Sequence, residues 1–132
     1  MIGTGLALFA ARKFLPHLPA KIGGTDGPAI AKALHIRLEA KPGEEEEVHD
    51  LLLGILAEVE KEPATRPWFG LRLSQSVFEI FETFPNGAGR EKHLTGKGAG
   101  LLMAKSNAVL AKPAQIDRLD LLARKPDHTA TR

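Results

Sequence analysis

The sequence contains no cysteine. That excludes a disulfide framework, a thiol nucleophile and any thiolate metal site. No stretch approaches the roughly 18–20 apolar residues of a membrane-crossing helix. Basic charge is scarce where a nucleic-acid surface would need it. The net charge is +2, but residues 1–32 hold Arg12, Lys13, Lys21 and Lys32 against Asp26. The rest of the chain therefore carries a small negative surplus, and no nucleic-acid partner is expected. No His, Asp and Glu set has metal-ligand spacing, so no metal site is expected. Gly96-Lys97-Gly98-Ala99-Gly100 is rich in glycine but lacks the preceding strand and the Gly-Lys-Ser/Thr ending of a phosphate loop. It reads as a break between helices. Internal repeats are absent too.

What is present suits an ordinary globular protein. A chain of 132 residues with a 43% hydrophobic fraction is sized for one domain and a real core. Ile2–Ala11 is apolar, with Leu6, Phe9, Ala10 and Phe14 at the spacing of an amphipathic helix. Arg12 and Lys13 follow this run rather than precede it, the wrong order for a secretory signal. With no export signal and no integral membrane segment, a cytoplasmic location is expected. His17–Pro28 is rich in Pro and Gly and reads as a linker. The expected organisation is an N-terminal extension over 1–32, a compact domain over 33–125 and a flexible tail over 126–132.

Within the domain the hydrophobic period alternates between two and 3.6. Ala33–Ala40 places Leu34, Ile36, Leu38 and Ala40 on one side and His35, Arg37 and Glu39 on the other, a strand. Four acids, Glu44–Glu47, then open a helix, where negative charge meets the positive end of the dipole. Val48, Leu51, Leu52, Ile55, Leu56 and Val59 form its apolar stripe, and Glu62-Pro63 ends it. Trp68–Leu73 and Ser76–Phe84 read as a hairpin. The second of these strands is apolar on both faces: Val77 and Phe81 on one, Phe78, Ile80 and Phe84 on the other. Helices can cover one face, and a second copy of the protein is the simple cover for the other. A short helix from Pro85 to Leu94, a second helical stretch to Leu110, and a strand over Ile116–Lys125 complete the chain. The order is β-α-β-β-α-β, an α+β ferredoxin-like arrangement.

Four stretches in this order carry a resemblance: EAKPGEEEEV (39–48), EPATRPWFGLRL (62–73), FEIFETFPNGAGREKHLTG (78–96) and DRLDLLARK (117–125). Together they resemble the antibiotic biosynthesis monooxygenase (quinol monooxygenase-like) family over Leu34–Lys125. The resemblance implies a dimeric α+β barrel, with two ferredoxin-like sheets face to face and a pocket between sheet and helices in each subunit. It also implies oxidation of a quinol or polyphenolic substrate by molecular oxygen as co-substrate, with no metal or flavin. Other members of that superfamily bind haem, isomerise small metabolites or have no known activity. The alternative function is therefore a small-ligand-binding or stress-response dimer without catalysis.

Chemistry of this kind needs an apolar pocket, a base or cation that favours the phenolate, and access for oxygen. His93 is the expected acid–base residue, since its ordinary pKa lies near neutrality. Arg90, three residues earlier on the same helix face, is expected to hold an anionic oxygen. Trp68 would stack on the substrate, with Phe81, His35 and Arg37 as further pocket residues. Five of them have a structural alternative: core or interface packing for Trp68, an ion pair with Glu82 for Arg90, a helix-end cap for His93, solvent exposure for His35 and Arg37. Two departures from the family stand out. The chain has no tyrosine, which some of the polyketide oxygenases use in their pocket. The first strand has no asparagine, which the haem-degrading branch carries there.

Overall fold

The computed structural model describes residues 30–126. The expected amphipathic helix, the linker and most of the tail lie outside the described residues. Ile30–Arg124 forms one compact unit. Its elements in chain order are β1 (Lys32–Glu39), α1 (Glu45–Val59), β2 (Trp68–Arg72), β3 (Val77–Phe84), α2 (Gly87–Leu94), α3 (Lys97–Val109) and β4 (Gln115–Asp120). All strand pairs are antiparallel, in the order β2-β3-β1-β4. This is the α+β ferredoxin-like fold, with two helices in its second helical position.

Alternation along the strands decides which face meets the helices. Leu34, Ile36 and Leu38 of β1 stand opposite Glu82, Ile80 and Phe78 of β3. All six are buried. Val48, Leu51, Leu52, Ile55 and Val59 of α1 and Leu102 and Val109 of α3 close over them. Each fully buried aliphatic or aromatic side chain contributes on the order of 1.5–3 kcal/mol, so this layer is the main source of stability. The two helices touch where Gly98 lies against Val59 and Ile55; a Cβ there would sit 3.4 Å from Val59 Cγ2.

Local signals place the helix ends. Gly43 takes φ +89°, and its N–H donates to the Glu45 carboxylate at 3.1 Å, which turns the chain from β1 into α1. Glu45, Glu46 and Glu47 fill the first turn of α1, as the sequence implied. The Asn86 side chain accepts from the Gly89 N–H at 2.8 Å and caps α2.

One element is shorter than its pattern suggested. Ile116–Lys125 alternates throughout, but β4 ends at Asp120. Lys32, the first residue of β1, pairs with Asp120, and past that pair one bond still runs back, from the Leu121 N–H to the Ala31 carbonyl at 2.9 Å. The reverse face of the sheet also differs in degree from the expected doubly apolar strand. Val77 and Phe81 lie on that face with Glu79 between them and Thr83 after them, and Phe69 and Leu71 of β2 join it. Phe69 and Leu71 are 51% and 43% exposed. Among the described residues no helix is long and apolar enough to cross a membrane.

Candidate functional site

A carboxylate–imidazole–carboxylate row lies where α2 meets the end of α1 and the underside of β3. His93 Nδ1 is 2.7 Å from Glu62 Oε1, and His93 Nε2 is 3.0 Å from Glu82 Oε2. The histidine is 6% exposed and Glu82 only 1%. The Phe84 ring centroid lies 5.3 Å from that of the imidazole. Each component comes from a different element. Glu62 sits in the turn after α1, where its N–H reaches the Val59 carbonyl at 2.9 Å and its Oε1 accepts from Thr65 Oγ1 at 2.7 Å. Glu82 hangs from the buried face of β3.

Two arginine contacts hold α2 in place above the sheet. Arg90 Nη1 donates to the Leu119 carbonyl at 3.0 Å and to the Ala33 carbonyl at 3.4 Å. Arg118 of β4 clasps the Glu91 carboxylate with two bonds, 2.8 and 3.0 Å long. That clasp lowers the pKa of Glu91 and raises that of Arg118.

The electrostatics of the row follow from its geometry. Carboxylates on both ring nitrogens are best served when both nitrogens carry a proton. Burial pushes the His93 pKa down, but the Glu82 and Glu62 carboxylates push it up further, and it stands above its ordinary value. Glu82 Oε1 is buried and has no hydrogen-bond partner among the described residues. The two carboxylates flank the ring from opposite sides, so they cannot chelate one ion. Among the described residues no group of three His, Asp or Glu side chains could hold a metal ion.

His93 borders two cavities. The outer one, about 380 Å³, opens between the end of α1 and the α2–α3 junction, with Glu62, Ala64, Gly89 and Gly96 on its wall. The inner one, about 60 Å³, lies between sheet and helices against Glu82, Ile80 and Leu102. The family resemblance implied a substrate pocket between sheet and helices. The space found there is too small for an aromatic ring, because Ile36, Ile55, Ile80 and Leu102 fill it. The outer cavity has the size usual for a small-molecule site.

The structure does not gather the six expected site residues. Only His93 lines the outer cavity. Trp68 is on the same sheet face, opposite Glu82 in the pairing of β2 with β3, but it lines a separate groove with Leu52 and Phe78. Its Nε1 is buried without a partner among the described residues. Arg90 is turned to the two carbonyls and to Glu91, and Glu82 pairs with His93 instead of Arg90. His35, Arg37 and Phe81 occupy the reverse face of the sheet. There Glu79 lies 3.1 Å from His35 Nε2 and 3.3 Å from Arg37 Nη1.

Glu62 and Glu82 join the site without having been singled out by the sequence pattern. A signal for Glu82 existed: the period of two puts it among Phe78, Ile80 and Phe84, where a carboxylate needs a partner. Nothing local marked Glu62.

No family model and no curated protein matches the chain. Solved structures do. The NE2512 protein of Nitrosomonas europaea, a protein of unknown function, aligns with TM-score 0.73 and 40% identity over 76% of this chain and 98% of that one. PA3566 of Pseudomonas aeruginosa aligns with TM-score 0.63 and 21% identity over 74% and 99%. A Caulobacter crescentus protein named as a candidate antibiotic biosynthesis monooxygenase aligns with TM-score 0.63 and 17% identity over 72% and 92%.

Proposed function

The chain belongs to the family of the NE2512 protein and has the antibiotic biosynthesis monooxygenase fold, and on that premise we propose that it oxidises a quinol or polyphenol with molecular oxygen, without metal or flavin. The observation that carries this reading is His93, buried and held between Glu62 and Glu82 on the wall of a cavity of about 380 Å³.

The chemistry follows from that arrangement. A phenolic hydroxyl entering the cavity meets the Glu62 carboxylate, whose Oε1 is engaged by Thr65 and His93 and whose Oε2 makes no bond among the described residues. Glu62 accepts the phenolic proton, and the neighbouring imidazolium stabilises the phenolate. The electron-rich ring gives one electron to O₂, and the resulting pair of radicals joins as a peroxide. Loss of water from the peroxide leaves one oxygen atom on the ring. The other departs with two hydrogens from the substrate. Glu62 returns the phenolic proton to that leaving oxygen, the ring carbon that took up the peroxide gives the second, and the imidazolium stays paired with Glu62 throughout. Glu82, behind the ring, keeps the imidazole oriented and charged.

Oxygen uptake with a panel of hydroquinones tests this. Wild-type protein should consume O₂ and release no free hydrogen peroxide. Uptake no faster than that of the Glu62→Gln, His93→Gln double variant would sink the proposal. A second reading, ligand binding without turnover, is favoured by the engagement of both ring nitrogens at rest. Tight binding of an aromatic ligand with no uptake would select it.

We also infer a homodimer through the reverse face of the sheet. Phe69, Leu71 and Leu119 are exposed there around half-buried Val77 and Phe81. Such a face resembles a core cut in half, which a second copy would cover.

A further inference from the structure

The charges around the outer cavity do not balance, and the imbalance has one sign. Its wall and rim hold Lys61, Lys92 and Lys97 with Glu58, Glu62 and His93. Lys61 pairs with Glu58 at 3.4 Å. Glu62 is committed to His93, and His93 in turn to Glu82. Lys92 of α2 and Lys97 of α3 are left, and neither ammonium has a carboxylate partner among the described residues. The remainder of the wall is Pro63, Ala64, Thr65, Gly89 and Gly96, which is small and, apart from the Thr65 hydroxyl that bonds to Glu62, apolar. The cavity therefore combines an apolar floor, an acid–base group on one wall and two exposed lysines in its lining without a carboxylate partner among the described residues.

We infer that the substrate is an acidic phenol: a hydroquinone or polyphenol carrying a carboxylate that sits between Lys92 and Lys97 while a ring hydroxyl faces Glu62. This rests on the oxidation reading above and narrows its substrate class. The physical reason is additive. Two ammonium groups attract a carboxylate already in water, and the apolar floor raises that attraction by excluding solvent beside them. A neutral quinol would gain nothing from either lysine. A cationic amine would be repelled by both, and by the imidazolium behind them.

The test uses 2,5-dihydroxyphenylacetate and its methyl ester, two ligands with one ring system that differ in charge. Binding is measured by calorimetry without oxygen, so that turnover plays no part. The acid is expected to bind about tenfold more tightly than the ester, the scale of two partly exposed charge pairs. The Lys92→Gln, Lys97→Gln double variant should lose that preference while binding the ester unchanged. Raising the salt concentration should shrink the preference in wild type alone. Equal or tighter binding of the ester, or a preference that survives in the double variant, would overturn the inference, as would failure of both ligands to bind. If the acid binds selectively yet no oxygen is consumed on aeration, the acidic ligand class stands and only the oxidation reading falls.

Discussion

His93 and Glu82 meet at 3.0 Å in the interior, with side chains only 4% and 1% exposed. Neither is tolerable there alone. A lone carboxylate under a β-sheet would bear a desolvation cost of several kcal/mol, and a lone imidazolium would simply lose its proton. Glu82 helps hold the His93 pKa above its ordinary value, and the ring gives the buried carboxylate a partner. Glu62 then closes the far side of the ring at 2.7 Å. Structure and chemistry therefore share the same atoms, and stability and activity report on the row separately.

Removing the ring strands Glu82. The His93→Ala variant should lose about 3–5 kcal/mol of unfolding free energy, the usual result of breaking a buried ion pair from one side. Replacing both partners, Glu82→Leu with His93→Leu, should recover most of that loss. Urea denaturation of the three proteins measures it. Equal destabilisation by the single and double variants would show that the row is not coupled.

The pH dependence has a definite sign. The folded pKa of His93 lies above its ordinary value, so the folded state binds a proton that the unfolded chain releases near pH 6.5. The stability contributed is complete below about pH 6.5 and is lost as pH rises through the folded value. Unfolding free energy should fall across that window, and the fall should vanish in His93→Gln. An imidazole titration by NMR with its midpoint at or below about 6.5 would contradict this.

Gly96 is needed for space and not for backbone freedom. Its φ is −84°, open to any residue. An added Cβ, however, would lie 2.9 Å from Glu62 Oε2 and 3.2 Å from the His93 carbonyl oxygen. Gly96→Ala should push Glu62 off the ring, lower the His93 pKa and cut oxygen uptake by at least about tenfold, within what a positioned acid–base group contributes. A methyl group added at Gly100 would meet none of the described residues within 4 Å. Gly100→Ala should stabilise α3 by about 0.5–1 kcal/mol and leave uptake alone.

Arg90 joins α2 to the ends of β1 and β4 through two carbonyl oxygens. Arg90→Ala should cost about 1.5–3 kcal/mol of stability, as charge-assisted bonds do. Ligand affinity in the outer cavity should remain within about twofold, a difference of roughly 0.4 kcal/mol. A large loss of affinity at unchanged stability would place the guanidinium at the ligand.

The reverse face of the sheet gives the last test. Wild type should sediment as a dimer at micromolar concentration. Leu71→Glu, at a position 43% exposed in the single chain, should sediment as a monomer, because a dimer would bury the new carboxylate without a partner. A monomeric wild type would remove the second copy from the proposal.

Much of this protein could be read from its residues in order. The period-two runs and the apolar stripe of α1 are local patterns, and they predict the strands, the helices and the ferredoxin-like order because side-chain direction follows backbone geometry. The family resemblance pointed to the same fold. The candidate site was only partly visible. His93 was identifiable from its chemistry, and Glu82 could have been found as the one charge on the apolar face of β3. Three-dimensional packing decided everything that depends on two distant segments meeting. Glu62 and His93 are 31 residues apart, and their contact needs the turn after α1, the cap at Asn86 and the seating of α2 on β1 and β4. The same is true of Trp68, Arg90, His35, Arg37 and Phe81. Sequence could say what chemistry those side chains offer, but the twist and pairing of the sheet set which of its two faces each one meets.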